Sequence, residues 1–240
     1  MRIQVVPDEQ SLARLAADAI CGAVGAAPYA LIALPTGMTP IHAYAEVTAR
    51  VARGDADLSG ATVYAVDEFV GVTAATPGSN TVFYRDHLTF PLRALRVPNP
   101  SADDPDAHIR DFARAIVTAG GIDFCLLGVG TNGHVAFNEP GSTRDSHART
   151  VDLAPASREV HAATFGSIDA VPDRGMTLGM SDLLAARAVL VLASGAHKAA
   201  IVRDAIEGPE TEDVPASLLR SHADLTWVLD EAATSQLSRR

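Results

Sequence analysis

The chain alternates short, continuous apolar runs with longer segments in which apolar residues recur at helical spacing. The runs cover residues 29–34, 62–66, 122–127, 188–193 and 225–229. Unbroken runs of Val, Ile, Leu and Ala at this length predict strands buried on both faces. Residues 1–6 alternate and predict a further short strand. Asp8 then stands as N-cap of a helix whose Leu12, Leu15, Ala16 and Ala19 share one face, ended by Gly22, Gly25 and Pro28. Segments 107–119 and 196–206 predict two more helices. This alternation predicts an α/β fold with a single doubly wound, mostly parallel sheet flanked by helices, in which residues 1–240 form one domain. Periodicity is weakest over residues 71–80 and 141–175. They read as irregular binding segments, the second a candidate lid.

Composition supports this picture and narrows the partners. Apolar residues make up 48% of the chain but aromatics only 5%, so small aliphatic side chains carry the core, as they do where helices cover a parallel sheet. Net charge is −10, with no basic cluster, which excludes nucleic acid and anionic membrane as expected partners. A small anionic substrate would need positive groups placed locally. Cys21 and Cys125 stand far apart, and no histidine has metal-ligand spacing, so neither disulfide, metal nor cofactor is expected. No apolar stretch is long enough to span a membrane, and the expected location is the cytoplasm. Monomer and homo-oligomer are both open.

In open α/β sheets ligands bind beyond the carboxyl ends of the strands, and four such places carry chemistry here. Thr36-Gly37-Met38-Thr39-Pro40 joins a strand to a helix start whose amides and dipole suit a phosphate; alone, it is equally an ordinary turn with Thr39 as N-cap. Asp67 and Glu68 end the next strand. Adjacent strand residues face opposite ways, so one carboxylate faces the crevice and the other looks away. The richest loop, 127–141, sets His134 among Gly128, Gly130 and Gly133, with Asn132 before it and Glu139 five residues after it, an imidazole and a carboxylate able to pass a proton. Lys198 opens a helix against its dipole, a placement that an anion nearby would explain. The remaining histidines, His161 among them, read as surface or satisfied residues.

In this order the segments Pro35-Thr36-Gly37-Met38-Thr39-Pro40, Val66-Asp67-Glu68-Phe69 and Gly130-Thr131-Asn132-Gly133-His134-Val135-Ala136-Phe137-Asn138-Glu139-Pro140 resemble the glucosamine-6-phosphate deaminase family. The 6-phosphogluconolactonases and sugar-sensing regulator domains are more distant relatives. The resemblance runs from about residue 31 to 232 and implies deaminating isomerisation of glucosamine 6-phosphate. It implies that Asp67 moves a proton between C2 and C1, that His134 opens the sugar ring with Asn132 and Glu139 orienting it, and that Thr36, Gly37, Met38, Thr39 and Lys198 hold the phosphate. Two departures stand out. Asn132 occupies a position that is often Asp, so His134 is expected to lean on Glu139. The Arg that the family places on the phosphate is missing from His161-Ala162-Ala163-Thr164-Phe165, with Arg158 the candidate substitute. A lactone hydrolase and a non-catalytic sugar-phosphate sensor remain the alternatives.

Overall fold

The computed structural model of the chain describes residues 1–238. Along it run β1 (Arg2–Val6), α1 (Glu9–Ala26), β2 (Leu31–Leu34), α2 (Met38–Arg53), β3 (Thr62–Ala65), β4 (Asp67–Phe69), α3 (Asn80–His87), β5 (Ala94–Arg96), α4 (Pro105–Thr118), β6 (Phe124–Gly128) and β7 (Arg149–Asp152). Then follow α5 (Pro155–Phe165), β8 (Arg174–Thr177), α6 (Met180–Leu184), β9 (Ala188–Ala193), α7 (Ala199–Glu207), α8 (Pro215–Leu218) and β10 (Leu225–Asp230). Asp8 caps α1 through its carboxylate, which accepts from the Ser11 amide at 2.7 Å.

The main sheet has seven strands in the order β1-β10-β9-β6-β2-β3-β5, every pair parallel. From β2 the chain winds outward through β3 and β5. It then returns to lay β6 on the other side of β2 and winds the opposite way through β9 and β10. The reversal falls between β2 and β6, and the loops that leave their carboxyl ends part in opposite directions, the place where such sheets form a crevice. One core fills the face under α1, α2 and α3, with Leu12, Ile32 and Tyr44 fully buried; the other fills the face under α4, α6, α7 and α8, with Ile109, Val202 and Trp227.

A second sheet stands beside the crevice. It is antiparallel, three-stranded and ordered β4-β8-β7, and the sequence pattern did not reveal it. The chain leaves the main sheet after β3, turns at Val66, whose carbonyl accepts from Leu178 N at 2.9 Å, and joins the small sheet at Asp67. Asp67 therefore sits at the joint between the sheets. The expectation of an irregular segment over residues 141–175 is corrected: it holds β7, α5 and the start of β8. Those strands are four residues long, and Ser157 is the one buried residue of α5, so no apolar stripe marks the helix in the sequence.

Candidate active site

The carboxyl ends of β2, β3 and β6 open with α5 onto a cavity of about 300 Å³, a size that suits a small molecule. Its walls contain Thr36, Gly37, Met38, Thr39, Asp67, Asn132, His134 and Lys198, so the strand-end segments do face a common hollow.

The turn after β2 is held from beneath. Two fully buried tyrosines donate to its last carbonyls, Tyr84 to Leu34 O and Tyr44 to Pro35 O, both at 2.6 Å, which fixes the strand end where a phosphate would approach. Gly37 is the N-cap of α2, with φ 112°, a conformation that a β-carbon resists. No side chain caps this helix, so the amides of Met38 and Thr39 remain for a ligand. The alternative reading of Thr39 as N-cap is thereby corrected: Thr39 already lies inside the first turn. The Thr36 hydroxyl donates to Asn80 Oδ1 at 3.2 Å.

Asp67 and Glu68 point opposite ways. Glu68 is fully buried outside the cavity and accepts from the amides of Phe69, Asn80 and Thr81 and from the Thr81 hydroxyl, all at 2.8–2.9 Å. It anchors the start of α3 and is no ligand group, which corrects its candidacy. Asp67 faces the cavity and takes one strong bond, from Asn80 Nδ2 at 2.6 Å. Burial, reinforced by the Glu68 charge, pushes its pKa up to about 8 against the pull of Asn80.

In the 128–141 loop the expectation that His134 leans on Glu139 is reversed. Its Nδ1 is 2.7 Å from Asn132 Oδ1 but 3.6 Å from Glu139 Oε2, and the Asn132 amide donates to Glu139 Oε2 at 2.8 Å. A carboxylate only accepts, so Asn132 turns its NH₂ to Glu139 and its oxygen to the imidazole. Nδ1 is then the protonated nitrogen, and Nε2 keeps a lone pair for the cavity. Burial raises the Glu139 pKa, but the neighbouring His134 imidazole, the Ser157 hydroxyl and the Asn132 amide outweigh it and bring it down to about 2, so the carboxylate stays charged. Asn132→Leu removes this relay and is expected to lower kcat about 10- to 100-fold with an unchanged melting temperature, measured by steady-state kinetics beside thermal unfolding.

Lys198 precedes α7, and its Nζ donates to Val129 O at 2.8 Å, leaving donors for an anion; burial lowers its pKa. Arg158 cannot substitute for a missing phosphate Arg: its guanidinium donates to Ile168 O and Val171 O, both at 3.0 Å, and lies outside the cavity walls. Residues 158 and 157 project from different sides of α5, and Ser157 has the inward one.

Sequence reasoning missed Asn80, Ser157, His161 and His197. Ser157 Oγ lies 3.1 Å from His134 Nδ1, and His161 and His197 line the cavity. The reading of His161 as a surface or satisfied residue is corrected. It packs edge-on against Phe69 at 5.1 Å, and burial brings its pKa down to about 4, with His134 adding to the effect. Its position four residues after Ser157 was the available signal, usable only once a helix was assigned there.

A family described as glucosamine-6-phosphate isomerases/6-phosphogluconolactonase matches residues 7–227. A glucosamine-6-phosphate deaminase of Rhodopirellula baltica is 36% identical over 244 residues, spanning 100% of this chain and 97% of that one. One of Pseudarthrobacter chlorophenolicus is 38% identical over 241 residues, 99% and 93% of the two chains. Among solved structures, a monomeric glucosamine-6-phosphate deaminase superposes with a TM-score of 0.95 at 32% identity, covering 98% of this chain and 99% of that one. A 6-phosphogluconolactonase from Trypanosoma cruzi superposes with a TM-score of 0.79 at 20% identity, over 99% and 97%, a likeness of fold.

Proposed function

Because the chain belongs to the glucosamine-6-phosphate isomerase and 6-phosphogluconolactonase family, we propose that it converts glucosamine 6-phosphate and water to fructose 6-phosphate and ammonia. One observation carries this reading at the level of the site: Asp67, His134 and the uncapped start of α2 face a single cavity sized for a hexose phosphate.

The phosphate sits against the Met38 and Thr39 amides and the Lys198 ammonium. With Nδ1 protonated, His134 Nε2 takes the proton from the anomeric hydroxyl and returns it to the ring oxygen, opening the pyranose. Asp67 then removes the C2 proton while the aldehyde oxygen takes one from the ammonium, giving the enolamine, and the same carboxyl returns its proton to C1. That leaves an iminium at C2, to which water adds, expelling ammonia and leaving the ketone. One carboxylate on one face of the open chain serves both proton transfers. Van der Waals cover comes from Met38 and Val160, which line the cavity and are exposed at 76% and 66%.

The test is ammonia release from glucosamine 6-phosphate. Far faster turnover of a 6-phosphate lactone would move the reading to a hydrolase. Tight binding of fructose 6-phosphate without turnover would move it to a sensor. Lys198→Met is expected to raise KM for glucosamine 6-phosphate about 10- to 100-fold, with little change for unphosphorylated glucosamine, because one charge-assisted contact to the phosphate is lost.

A further inference from the structure

Three cavity histidines offer imidazoles, but their commitments differ. Both of the hydrogen bonds described at the His134 ring use Nδ1, which meets Asn132 and Ser157. His161 lines the same cavity, and no protein donor or acceptor among the described residues meets either of its ring nitrogens. Its ring is nonetheless fixed, edge-on to Phe69 at 5.1 Å and to Phe137 at 6.4 Å. A rigid imidazole packed by aromatic rings and free at its nitrogens has its hydrogen-bonding capacity reserved for a ligand.

Its place along the cavity follows from its neighbours. His161 is one helical turn beyond Ser157, which touches His134, so the two share one face of α5 and line the same wall. Phe69, its closest aromatic neighbour, is two residues from Asp67 on the same face of β4. The phosphate contacts, Met38, Thr39 and Lys198, belong instead to helix starts at the main sheet. His161 therefore borders the end where Asp67 works, which is the C1–C2 end of the sugar. Burial holds the ring neutral near pH 7, its pKa brought down to about 4, so it adds no positive charge where a cationic amine must sit.

Resting on the function proposed above, we infer that His161 is a substrate-contacting specificity residue that accepts a hydrogen bond from the 2-amino group of the sugar through a ring nitrogen. An ammonium is all donor, and the cavity meets it with two acceptors, the Asp67 carboxylate and this nitrogen. A neutral imidazole at this end matches an amino group in a way that a cation could not.

The experiment compares two open-chain ligands, 2-amino-2-deoxyglucitol 6-phosphate and 2-deoxyglucitol 6-phosphate, by calorimetric titration of the wild type, His161→Phe and His161→Gln. Phe keeps the edge-on packing and removes the nitrogens; Gln supplies an oxygen acceptor. The wild type is expected to prefer the amino ligand, and His161→Phe to reduce that preference about 10- to 100-fold without weakening the deoxy ligand. His161→Gln is expected to restore part of it. Equal weakening of both ligands, or an untouched preference, overturns the assignment. Wild type that binds neither ligand and releases no ammonia from glucosamine 6-phosphate would instead remove the functional reading beneath it.

Discussion

Replacing Asp67 with Asn is expected to lower deamination of glucosamine 6-phosphate about 10²–10⁴-fold and at the same time to raise the melting temperature. The two effects share one cause. Asp67 is 5% exposed, has Glu68 beside it, and receives one hydrogen bond, from Asn80. Its carboxylate is costly to bury there, and its pKa rises to about 8. Below the unfolded value of 3.8 the group is neutral in both states and costs nothing. As pH rises from there the unfolded chain ionises first, so stability falls until about pH 8, above which the loss is complete. Asparagine cannot ionise, yet its oxygen still accepts from Asn80. The gain on mutation is then near zero at pH 4 and a few kcal/mol at pH 8, about 5–10 °C in a chain of this size.

The same shift sets the rate profile. Only the carboxylate can take the C2 proton, so kcat/KM of the wild type is expected to fall as pH drops through about 8. The substrate ammonium favours the ionised acid, so the corresponding limb of kcat lies at lower pH. Wild-type kcat/KM that is flat between pH 6 and 9 would separate Asp67 from the chemistry, and an Asn variant no more stable at pH 8 than at pH 4 would remove the raised pKa.

What the sequence made legible follows from how strongly each element is marked. Strands of the main sheet are buried on both faces, so they appear as unbroken apolar runs, and their ends pointed to Gly37, Asp67, His134 and Lys198. The small sheet is different. β4, β7 and β8 have three or four residues each, and β7 carries Arg149 and Asp152, too short and too polar to register as a run. With those strands unseen, α5 had nothing visible to pack on, and its inward residues Ser157 and His161 looked like surface polar groups. Asn80 was hidden for another reason. It begins α3 directly after an irregular stretch, and its importance lies in bonding Asp67 and Thr36 at once, a relation between strand ends that no local spacing reports. Arg158 erred the opposite way, near enough in sequence but turned toward the carbonyls of residues 168 and 171.

Gly130→Ala is expected to cost nearly as much activity as deleting the imidazole, with almost no loss of stability. Gly130 lies outside the left-handed region, so alanine fits its backbone without strain. Its β-carbon, however, would lie 2.2 Å from His134 Cε1, 2.4 Å from Nδ1 and 2.5 Å from Nε2. No imidazole can remain where it is at those distances, and the contacts that fix its orientation, to Asn132 Oδ1 at 2.7 Å and Ser157 Oγ at 3.1 Å, must break as it swings away. The loop itself has little reason to move, because Gly130 N still donates to His134 O and Gly133 N to Gly130 O. The expected loss in kcat is about 10²–10⁴-fold, with a stability change within about 1 kcal/mol. Combining Gly130→Ala with His134→Ala discriminates further. If the glycine acts only by seating the ring, the double variant loses no more activity than His134→Ala alone, a strongly non-additive pair. Additive losses would mean that Gly130 serves the reaction by another route, and a fully active Gly130→Ala enzyme would mean that the imidazole does its work from a different position.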